Sequence, residues 1–357
     1  MDDKVKVGVI GTGIIAGIRH IPTYLKNDEC VLWALCDINP TALKAAADKY
    51  GVPAERCYTN YRDMLDHAGL DAVDICTPNY LHCEMIREAV KRGIPFSTEK
   101  PMGVTYREVL ATYELVKKAG VPSFICYSWR YRPNVRLMKE LLEQGAIGKL
   151  HQIYVTTIKN SGLWPGRKLE WRFQKELSGE GGVLFDLNSH MVDITRYFGE
   201  EIESVLADSG IVVKERPTLD GSSIAPVTTD DWCNILARTE RGASVNYRIS
   251  RVTTCVSNII QFELFGDKGR LNMTALGWNQ ADQTIELDVV GEKKQILTAP
   301  ERLSVKDQMD IFIDIVKGRG KSVAATIEDG VISQRVLMAE LKAVETGRRV
   351  YVSEITE

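Results

Sequence analysis

Val5-Lys6-Val7-Gly8-Val9-Ile10 runs directly into Gly11-Thr12-Gly13-Ile14-Ile15-Ala16, and these residues indicate the fold class of the chain. The first half has the apolar, β-branched character of a buried strand, and the second half has the spacing G-x-G-x-x-A. Gly11 allows a tight turn, Gly13 leaves room for a pyrophosphate, and Ala16 permits close helix packing. A glycine-rich turn without a ligand is the alternative. The strand-to-helix context favours a dinucleotide site at a helix N-terminus.

The end of the second strand bears on the choice of dinucleotide. It closes with Cys36-Asp37, 26 residues after Gly11, where a carboxylate can accept hydrogen bonds from an adenosine ribose. The same carboxylate repels a 2′-phosphate, and the residues after it, Ile38, Asn39 and Pro40, include no arginine. The sequence therefore predicts NAD as cofactor. NADP stays open as the less favoured choice, because an arginine from elsewhere in the fold could approach.

Strand-like runs alternate with amphipathic helical patterns through about residue 128, which is typical of βαβ units. The rhythm then changes to longer strand-like runs, followed by two helical patterns near the end of the chain. We therefore predict an α/β protein with an N-terminal Rossmann domain, a doubly wound parallel sheet, over residues 1–128. Residues 129–357 are predicted to form an α+β domain with a large, mostly antiparallel sheet. The predicted strands of this second domain are Leu150–Ile158, Ile202–Lys214, Trp232–Thr239, Ala243–Ser250, Ile259–Gly266, Arg270–Thr274 and Ile285–Val290.

The composition excludes several classes of function. The 357 residues carry 45 Lys and Arg against 48 Asp and Glu, a net charge of -3, so no global positive field favours nucleic acid. No apolar stretch near the start is long enough for a membrane span, and we expect no membrane partner. The eight cysteines form no CxxC pair and fit a reduced, cytoplasmic protein.

Two further motifs follow predicted strands of the first domain: Cys76-Thr77-Pro78-Asn79-Tyr80-Leu81-His82 and Thr98-Glu99-Lys100-Pro101. The carboxyl ends of parallel strands are where open α/β sheets bind ligands. Pro101 biases Lys100 toward extended backbone and so holds its side chain at the sheet edge. A solvated lysine is the alternative for this position.

The second domain contains one candidate acid/base pair. Asp186 and His190 stand four residues apart after Gly181-Gly182, with Asp193 three residues further, so a continuous helix would project all three from one face. A carboxylate and an imidazole on one face can carry out proton transfer. The alternative is a polar stripe that faces water. We predict no metal site, because no second imidazole lies at ligand spacing.

Together these motifs resemble the Gfo/Idh/MocA oxidoreductase family, and the resemblance covers nearly the whole chain. GTGIIA, Asp37, CTPNYLH, EKP, Arg130-Tyr131-Arg132-Pro133 and GGVLFDLNSH follow in the family's order. The resemblance implies that the pyrophosphate lies on the glycine turn, that Asp37 holds the ribose, and that the two strand-end motifs line the nicotinamide. The cofactor-binding residues that it implies are Gly11, Gly13, Ile14, Ile15, Asp37, Thr77, Pro78, Asn79, His82, Glu99 and Lys100.

By the same resemblance, Lys100 and His190 match the family's catalytic residues and Asp186 matches its substrate-binding carboxylate. The substrate-binding residues that we expect are Lys100, Arg130, Trp171, Arg172, Asp186 and His190. Trp171 and Arg172, with Trp164, occupy a loop where a ring face and a cation suit a polyol, although a small packed cluster is an equal alternative. The sequence departs from the family's pattern at Glu180, where a third glycine is usual, and at Asn188, where a small residue is common.

The leading functional hypothesis is an NAD-dependent dehydrogenase that interconverts a secondary alcohol and a ketone of a cyclic polyol or sugar. His190 would act as base, Lys100 as hydroxyl-polarising donor or proton relay, and Asp186 as substrate anchor. One alternative is a glycoside-cleaving enzyme that uses transient oxidation by NAD. Another is a non-catalytic dinucleotide sensor, which would not need Lys100, Asp186 and His190.

The second domain also suggests self-association. Its seven strand-like runs need two covered faces, and apart from the helix near Asp186 only two late helical patterns are available to cover them. We therefore expect a second copy of the chain to cover one face, which gives a homodimer or a homotetramer.

Overall fold

The structure, a computed structural model, describes residues 4–255, 257–276, 284–304, 306–320 and 323–356. The chain forms two compact units. The first unit comprises Met1–Gly103, Arg107–Tyr127 and Lys306–Val331, and the second comprises Val104–Tyr106, Ser128–Val305 and Ile332–Glu357. The units are thus discontinuous in sequence, since a late segment joins the first of them. A division of the chain into residues 1–128 and 129–357 stays a prediction.

The first unit is built on a six-stranded parallel sheet. Its strands are β1 (Val5–Ile10), β2 (Cys30–Cys36), β3 (Cys57–Tyr58), β4 (Ala72–Ile75), β5 (Phe96–Thr98) and β6 (Ser123–Ile125). Their order across the sheet is β3-β2-β1-β4-β5-β6, and every pairing is parallel. This is the order of a doubly wound Rossmann sheet, so the predicted fold of the first unit is confirmed.

The second unit contains a nine-stranded sheet and a separate two-stranded ribbon. The strands of the sheet are β7 (Leu150–Ile158), β8 (Ile202–Gly210), β11 (Trp232–Thr239), β12 (Ser244–Ser250), β13 (Ile259–Gly266), β14 (Gly269–Leu276), β15 (Ile285–Val289), β16 (Gln295–Leu297) and β17 (Val350–Tyr351). The ribbon pairs β9 (Glu215–Pro217) with β10 (Ile224–Pro226). Across the sheet the order is β16-β15-β14-β13-β7-β12-β11-β8-β17, in which β7 and β12 pair in parallel and the other neighbours are antiparallel. A large, mostly antiparallel sheet is therefore confirmed.

Two details of the second unit differ from the sequence prediction. The predicted strand Ile202–Lys214 ends at Gly210, because the carboxylate of Asp231 accepts the backbone N–H groups of Val212 and Val213 and turns the chain. Residues 217–228, which belong to none of the predicted strands, contain the end of β9 and all of β10. Runs of three residues carry too little periodicity to be recognised as strands.

The α-helices of the described residues are α1 (Ile21–Lys26), α2 (Pro40–Tyr50), α3 (Tyr61–His67), α4 (Asn79–Lys91), α5 (Tyr106–Ala119), α6 (Pro133–Glu143), α7 (Lys175–Ser178), α8 (Val183–Asp186), α9 (Asn188–Tyr197), α10 (Gln308–Val316) and α11 (Ile327–Thr346). A π-helical turn, Ala16–His20, precedes α1. The N-cap of α10 is Asp307, whose side chain accepts the N–H of Gln308. Within the part of the chain that the structure describes, no helix has the length and apolar character needed to cross a membrane.

The large sheet has one buried face and one exposed face. Along β11, buried and exposed residues alternate strictly from Cys233 onward, as expected for an antiparallel strand with one face on the core. On the buried side, helix α8 packs against β11 and β12, and helix α9 packs against β12. The other face exposes Tyr154 of β7 and Leu236 of β11, which are 40% and 47% exposed.

Candidate active site

The glycine turn between β1 and the first helix is shaped to receive a ligand. Gly11 has φ +90°, and a Cβ added there would lie 2.8 Å from the carbonyl oxygen of Cys76, so only glycine fits. A Cβ added at Gly13 would meet no heavy atom of the described residues within 4 Å. Ile14 follows this open space and is 72% exposed. The turn thus offers free backbone and an apolar surface at the start of a helix, which fits a dinucleotide pyrophosphate.

Asp37 lies beside the same turn. Its Oδ2 atom accepts hydrogen bonds from both the backbone N–H and the hydroxyl of Thr12, each at 2.8 Å, and its Oδ1 atom accepts the N–H of Asn39 at 2.9 Å. The following residue, Ile38, is 89% exposed. Asp37 therefore connects the glycine turn to the end of β2. Its contact with a ribose stays a prediction.

The residues that follow β4 form the next part of this edge. Thr77 lies in the connection to α4, Pro78 is the N-cap of α4 and Asn79 is its first residue. The ring of His82 is fully buried, with Nδ1 2.8 Å from the carbonyl oxygen of Pro101 and Nε2 2.8 Å from that of Thr77. Burial lowers the pKa of His82, although the two carbonyl groups oppose that shift. His82 thus joins the two strand-end loops, and its expected contact with the cofactor stays a prediction.

Glu99 and Lys100 follow β5 at the neighbouring position of the sheet edge. The N–H of Glu99 donates to the carbonyl of Ile75 at 2.9 Å, which continues the parallel pairing beyond the strand. Glu99 is 8% exposed, and its Oε2 atom accepts the backbone N–H of Lys100 at 3.2 Å. Lys100 itself is partly exposed. The first unit therefore brings together the glycine turn and both strand-end motifs at the carboxyl edge of its sheet.

In the second unit, Asp186 and His190 lie on two consecutive short helices rather than on one continuous helix. Helix α8 ends at Asp186, and α9 begins at Asn188. Both Asp186 and His190 are partly exposed. The Oδ2 atom of Asp186 lies 3.8 Å from Nε of Arg172, whose guanidinium is 4.3 Å from the ring centre of Trp171. The structure thus brings Trp171, Arg172 and Asp186 together.

Asp193 lies in a different environment from Asp186 and His190. Its carboxylate is fully buried and accepts hydrogen bonds from Nε and Nη2 of Arg130 at 2.8 and 2.5 Å. The prediction that Asp186, His190 and Asp193 share one polar face is therefore wrong for Asp193. Its carboxylate is buried, and a buried carboxylate needs a cationic partner. Arg130 is 6% exposed, and its direct contact with a substrate stays a prediction. The ion pair joins α9 to the helical turn Ser128–Tyr131.

The diglycine before α8 has a packing reason. A Cβ added at Gly182 would lie 2.1 Å from the carbonyl oxygen of Asp230. The carboxylate of Asp230 also accepts the N–H groups of Gly182 and Leu184, the latter at 3.1 Å, at the start of α8. Burial raises the pKa of Asp230, which these hydrogen bonds oppose. Asp230 was not among the residues predicted from the sequence, although two adjacent aspartates, Asp230 and Asp231, directly before an apolar strand were a signal for it.

Asn188, the departure from the family's pattern, has a specific partner. Its side-chain N–H donates to Oε2 of Glu340 in α11 at 2.9 Å, and both residues are fully buried. Burial raises the pKa of Glu340 well above its ordinary value, despite the hydrogen bond from Asn188. Asn188 therefore attaches α9 to α11.

This buried glutamate makes stability depend on pH. With a raised pKa, the folded protein keeps a proton that the unfolded chain releases above pH 4.5, so stability falls as pH rises from 4.5 toward the folded-state pKa. The loss is at most about 1.4 kcal/mol per pH unit. Glu340→Gln keeps an acceptor for Asn188 and cannot ionise, so its melting temperature relative to the unmodified protein should rise from pH 5 to pH 8. Glu345→Gln, at an exposed position of the same helix, is the control for the substitution itself. A difference in melting temperature for Glu340→Gln that stays constant from pH 5 to pH 8 would contradict the prediction.

One cluster in the first unit was not singled out from the sequence. Among the described residues, His20 with Asp74 and Cys76, and His20 with Glu99 and Cys126, are groups whose ligand atoms lie within 4.8 Å of one another. A metal could be considered there on distance alone. Asp74, a charged residue inside the apolar strand β4, was the signal available in the sequence.

Comparison with known proteins shows to which family this chain is similar. Residues 5–127 match the family described as "Oxidoreductase family, NAD-binding Rossmann fold", and residues 135–272 match the "GFO/IDH/MocA C-terminal domain". The chain is 30% identical over 289 residues to levoglucosan dehydrogenase of Pseudarthrobacter phenanthrenivorans, covering 75% of this chain and 73% of that protein. It is 28% identical to myo-inositol 2-dehydrogenase of Thermotoga maritima, and the aligned region covers 98% of this chain and 99% of that protein. A solved structure of levoglucosan dehydrogenase in complex with NADH superposes with a TM-score of 0.87 at 25% identity, covering 98% of this chain and 99% of that one.

Proposed function

The chain belongs to the Gfo/Idh/MocA oxidoreductase family with its NAD-binding Rossmann fold, and on that basis we propose that it is an NAD-dependent dehydrogenase of cyclic polyols or sugars. The reaction would interconvert a secondary alcohol and a ketone. The observation that carries the proposal is the carboxyl edge of the parallel sheet, where the open glycine turn and the Glu99–Lys100 turn occur together. The names of two relatives, a levoglucosan and a myo-inositol dehydrogenase, support the substrate class.

The residues of the first unit fit NAD. In the proposed complex, Gly11, Gly13, Ile14 and Ile15 face the pyrophosphate and Asp37 faces the adenosine ribose. Thr77, Pro78, Asn79, His82, Glu99 and Lys100 form the nicotinamide side, with His82 acting by holding the loops together. Bound NAD supplies the hydride acceptor for the alcohol carbon.

The remaining chemistry is proton transfer and orientation. We assign His190 as the base that takes the hydroxyl proton, and Lys100 as the donor that polarises the same hydroxyl or relays its proton. Asp186 would accept hydrogen bonds from neighbouring hydroxyl groups and so orient the sugar. Trp171 would pack against the C–H face of the ring, and Arg172 and Arg130 complete the proposed substrate contacts.

A panel of substrates tests the proposal. Purified protein should be mixed with NAD and each of a set of inositols, aldoses and 1,6-anhydro sugars, and NADH should be followed by its absorbance. Formation of NADH with at least one member, in proportion to ketone product, is the expected result. Unchanged bound NAD together with release of an aglycone from a glycoside would instead identify the glycoside-cleaving route. NAD binding without any turnover would identify a sensor.

Asp37 is predicted to determine the preference for NAD over NADP. Asp37→Ser removes the charge that would bind a ribose and repel a 2′-phosphate, and the loss of charge-assisted hydrogen bonds should lower kcat/KM for NAD by about tenfold or more. The ratio of kcat/KM for NADP to that for NAD should rise. Asp48→Ser, at an exposed position of α2, should leave the ratio unchanged. A higher kcat/KM with NADP than with NAD in the unmodified enzyme would contradict this role.

We propose that the exposed face of the large sheet mediates a homodimer or homotetramer. Tyr154 and Leu236 lie in one cross-strand row, on either side of Asn246, so two apolar side chains share this face. Light scattering should give at least twice the 40.0 kDa of one chain, and Tyr154→Glu with Leu236→Glu should reduce that mass. A mass of one chain for the unmodified protein at micromolar concentration would contradict the proposal.

We also propose a cytoplasmic location. All eight cysteines are free thiols in the structure, as is usual for proteins of reducing compartments.

A further inference from the structure

A fully buried histidine lies between two carboxylates beneath the edge of the parallel sheet. His20 is the last residue of the π-helical turn that precedes α1. Its Nδ1 atom lies 2.8 Å from Oδ2 of Asp74, and its Nε2 atom lies 3.0 Å from Oε1 of Glu99. Neither the proposed cofactor contacts nor the proposed proton transfer uses His20. The ring therefore connects the first helix, β4 and the turn after β5.

Asp74, the carboxylate on one side of the His20 ring, is held in place by two other side chains. The hydroxyl of Ser97 donates to Oδ1 of Asp74 at 2.5 Å, and the hydroxyl of Tyr24 donates to Oδ2 at 3.1 Å. All three side chains are buried. Because Asp74 cannot move without breaking these bonds, it provides a fixed reference for the His20 ring.

The other groups that face His20 are uncharged at neutral pH. The sulfur of Cys76 lies 3.3 Å from Nδ1, and the side-chain nitrogen of Gln308 lies 3.3 Å from Nε2. Burial raises the pKa of the Cys76 thiol to about 12, and burial also raises that of Cys126. Negative charge near the ring therefore comes from Asp74 and Glu99.

These contacts favour a charged ring. Burial opposes protonation of His20, whereas the charge of Asp74 and its hydrogen bond with the ring favour it, and the pKa of the ring is raised above its ordinary value. For Glu99, burial raises the pKa, but the hydrogen bond and charge of His20 outweigh burial and lower it. Both ring nitrogens lie at hydrogen-bond distance from carboxylate oxygens, which fits an imidazolium that donates twice. This pairing explains the cluster without a metal ion.

Glu99 transmits this arrangement to Lys100. Its second oxygen, Oε2, accepts the backbone N–H of Lys100 at 3.2 Å, while Oε1 is held by His20. Without the imidazolium, a buried Glu99 would favour its neutral form and hold the Lys100 backbone less strongly. Lys100 would then have a less defined position at the sheet edge.

We propose that His20 is a positioning residue for Lys100, acting through Glu99 from the rigid reference of Asp74. The inference rests on the proposed function, in which Lys100 contacts the reacting hydroxyl. His20 touches neither substrate nor cofactor in this account. Its effect is to fix the Lys100 backbone so that the side chain reaches the hydroxyl in a productive geometry.

The test uses His20→Gln, which is uncharged and of similar size. Misplacement of a reacting group should lower kcat by about ten- to a hundredfold, whereas the dissociation constant for NADH, measured by fluorescence titration, should change less than about threefold. Glu99→Gln should give a similar loss of kcat. Tyr24→Phe removes one of the two hydroxyl hydrogen bonds to Asp74 but keeps that of Ser97 and the His20–Glu99 contact, so it should lower kcat clearly less than His20→Gln does.

A Lys100→Ala background separates positioning from a general effect on folding. If His20 acts through Lys100, His20→Gln should cause little further loss of kcat in that background. An equal loss with and without Lys100, or near-native kcat in both His20→Gln and Glu99→Gln, would overturn the inference. If His20→Gln does not fold, Glu99→Gln is compared instead in the unmodified protein and in Lys100→Ala. The inference again requires that the loss of kcat is small when Lys100 is absent. A large loss in Lys100→Ala beside a normal His20→Gln would refute only this inference, whereas near-native kcat in Lys100→Ala would refute the proposed role of Lys100 itself.

Discussion

Lys100→Ala and His190→Ala are each expected to lower kcat by at least about a hundredfold, the scale of a positioned acid or base. In the proposed reaction both groups act on one hydroxyl, so the loss of either leaves the other without its partner. The double variant should therefore be much less impaired than the product of the two single effects predicts. Steady-state kinetics on the best substrate of the panel, with saturating NAD, measures all three values.

Two substitutions at exposed positions serve as matched controls. Lys118→Ala, near the end of α5, and His151→Ala, in β7, remove the same side-chain types from exposed positions. Both controls should retain kcat. Near-native kcat in folded Lys100→Ala or His190→Ala would remove that residue from the mechanism.

Of the substitutions described, Asp193→Ala is expected to cause the largest decrease in the free energy of unfolding. It would leave the Arg130 guanidinium buried without the carboxylate that accepts its hydrogen bonds. Removing one partner of a buried ion pair costs about 3–5 kcal/mol, so chemical denaturation should show a loss of that size. The same substitution should lower kcat, because the pair holds α9, the helix that carries His190.

The ion pair between Glu140 and Arg302 is the control for this prediction. Both belong to the second unit, and Arg302 is 63% exposed. Glu140→Ala should have little effect on stability, because exposed ion pairs contribute little. Equal losses of stability for Asp193→Ala and Glu140→Ala would show that the buried pair stabilises the protein no more than an exposed pair does, and would contradict the prediction.

The Rossmann sheet was predictable because its signals are local. The glycine spacing, the carboxylate at the end of β2, and the motifs after β4 and β5 each occupy a few adjacent residues. The carboxyl ends of parallel strands necessarily share one edge, so the gathering of Gly13, Asp37, Thr77 and Lys100 followed from the order of the strands. The short strands β3, β9, β10, β16 and β17 were missed, because two or three residues show no periodicity and pair only through tertiary contacts.

The supporting contacts were beyond sequence reasoning because their partners are far apart in the chain. Arg130 and Asp193 are separated by 63 residues, and His20 and Glu99 by 79. A seven-residue spacing placed Asp186 and Asp193 on one face of a continuous helix, but the interruption at Leu187 separates α8 from α9. Helical spacing alone does not reveal which carboxylate is buried and needs a cation.

Transfer of deuterium from the substrate to NAD would show directly whether the enzyme catalyses the proposed hydride transfer. The best substrate of the panel, labelled with deuterium at the alcohol carbon, should be oxidised by the unmodified enzyme with NAD, and the reduced cofactor should be analysed by mass spectrometry. The proposed hydride transfer predicts one deuterium in each NADH formed, with one ketone product for each, because the hydride leaves the carbon with its electron pair while the proton goes to the protein. Formation of ketone with unlabelled NADH, or consumption of substrate without any reduced cofactor released, would contradict it.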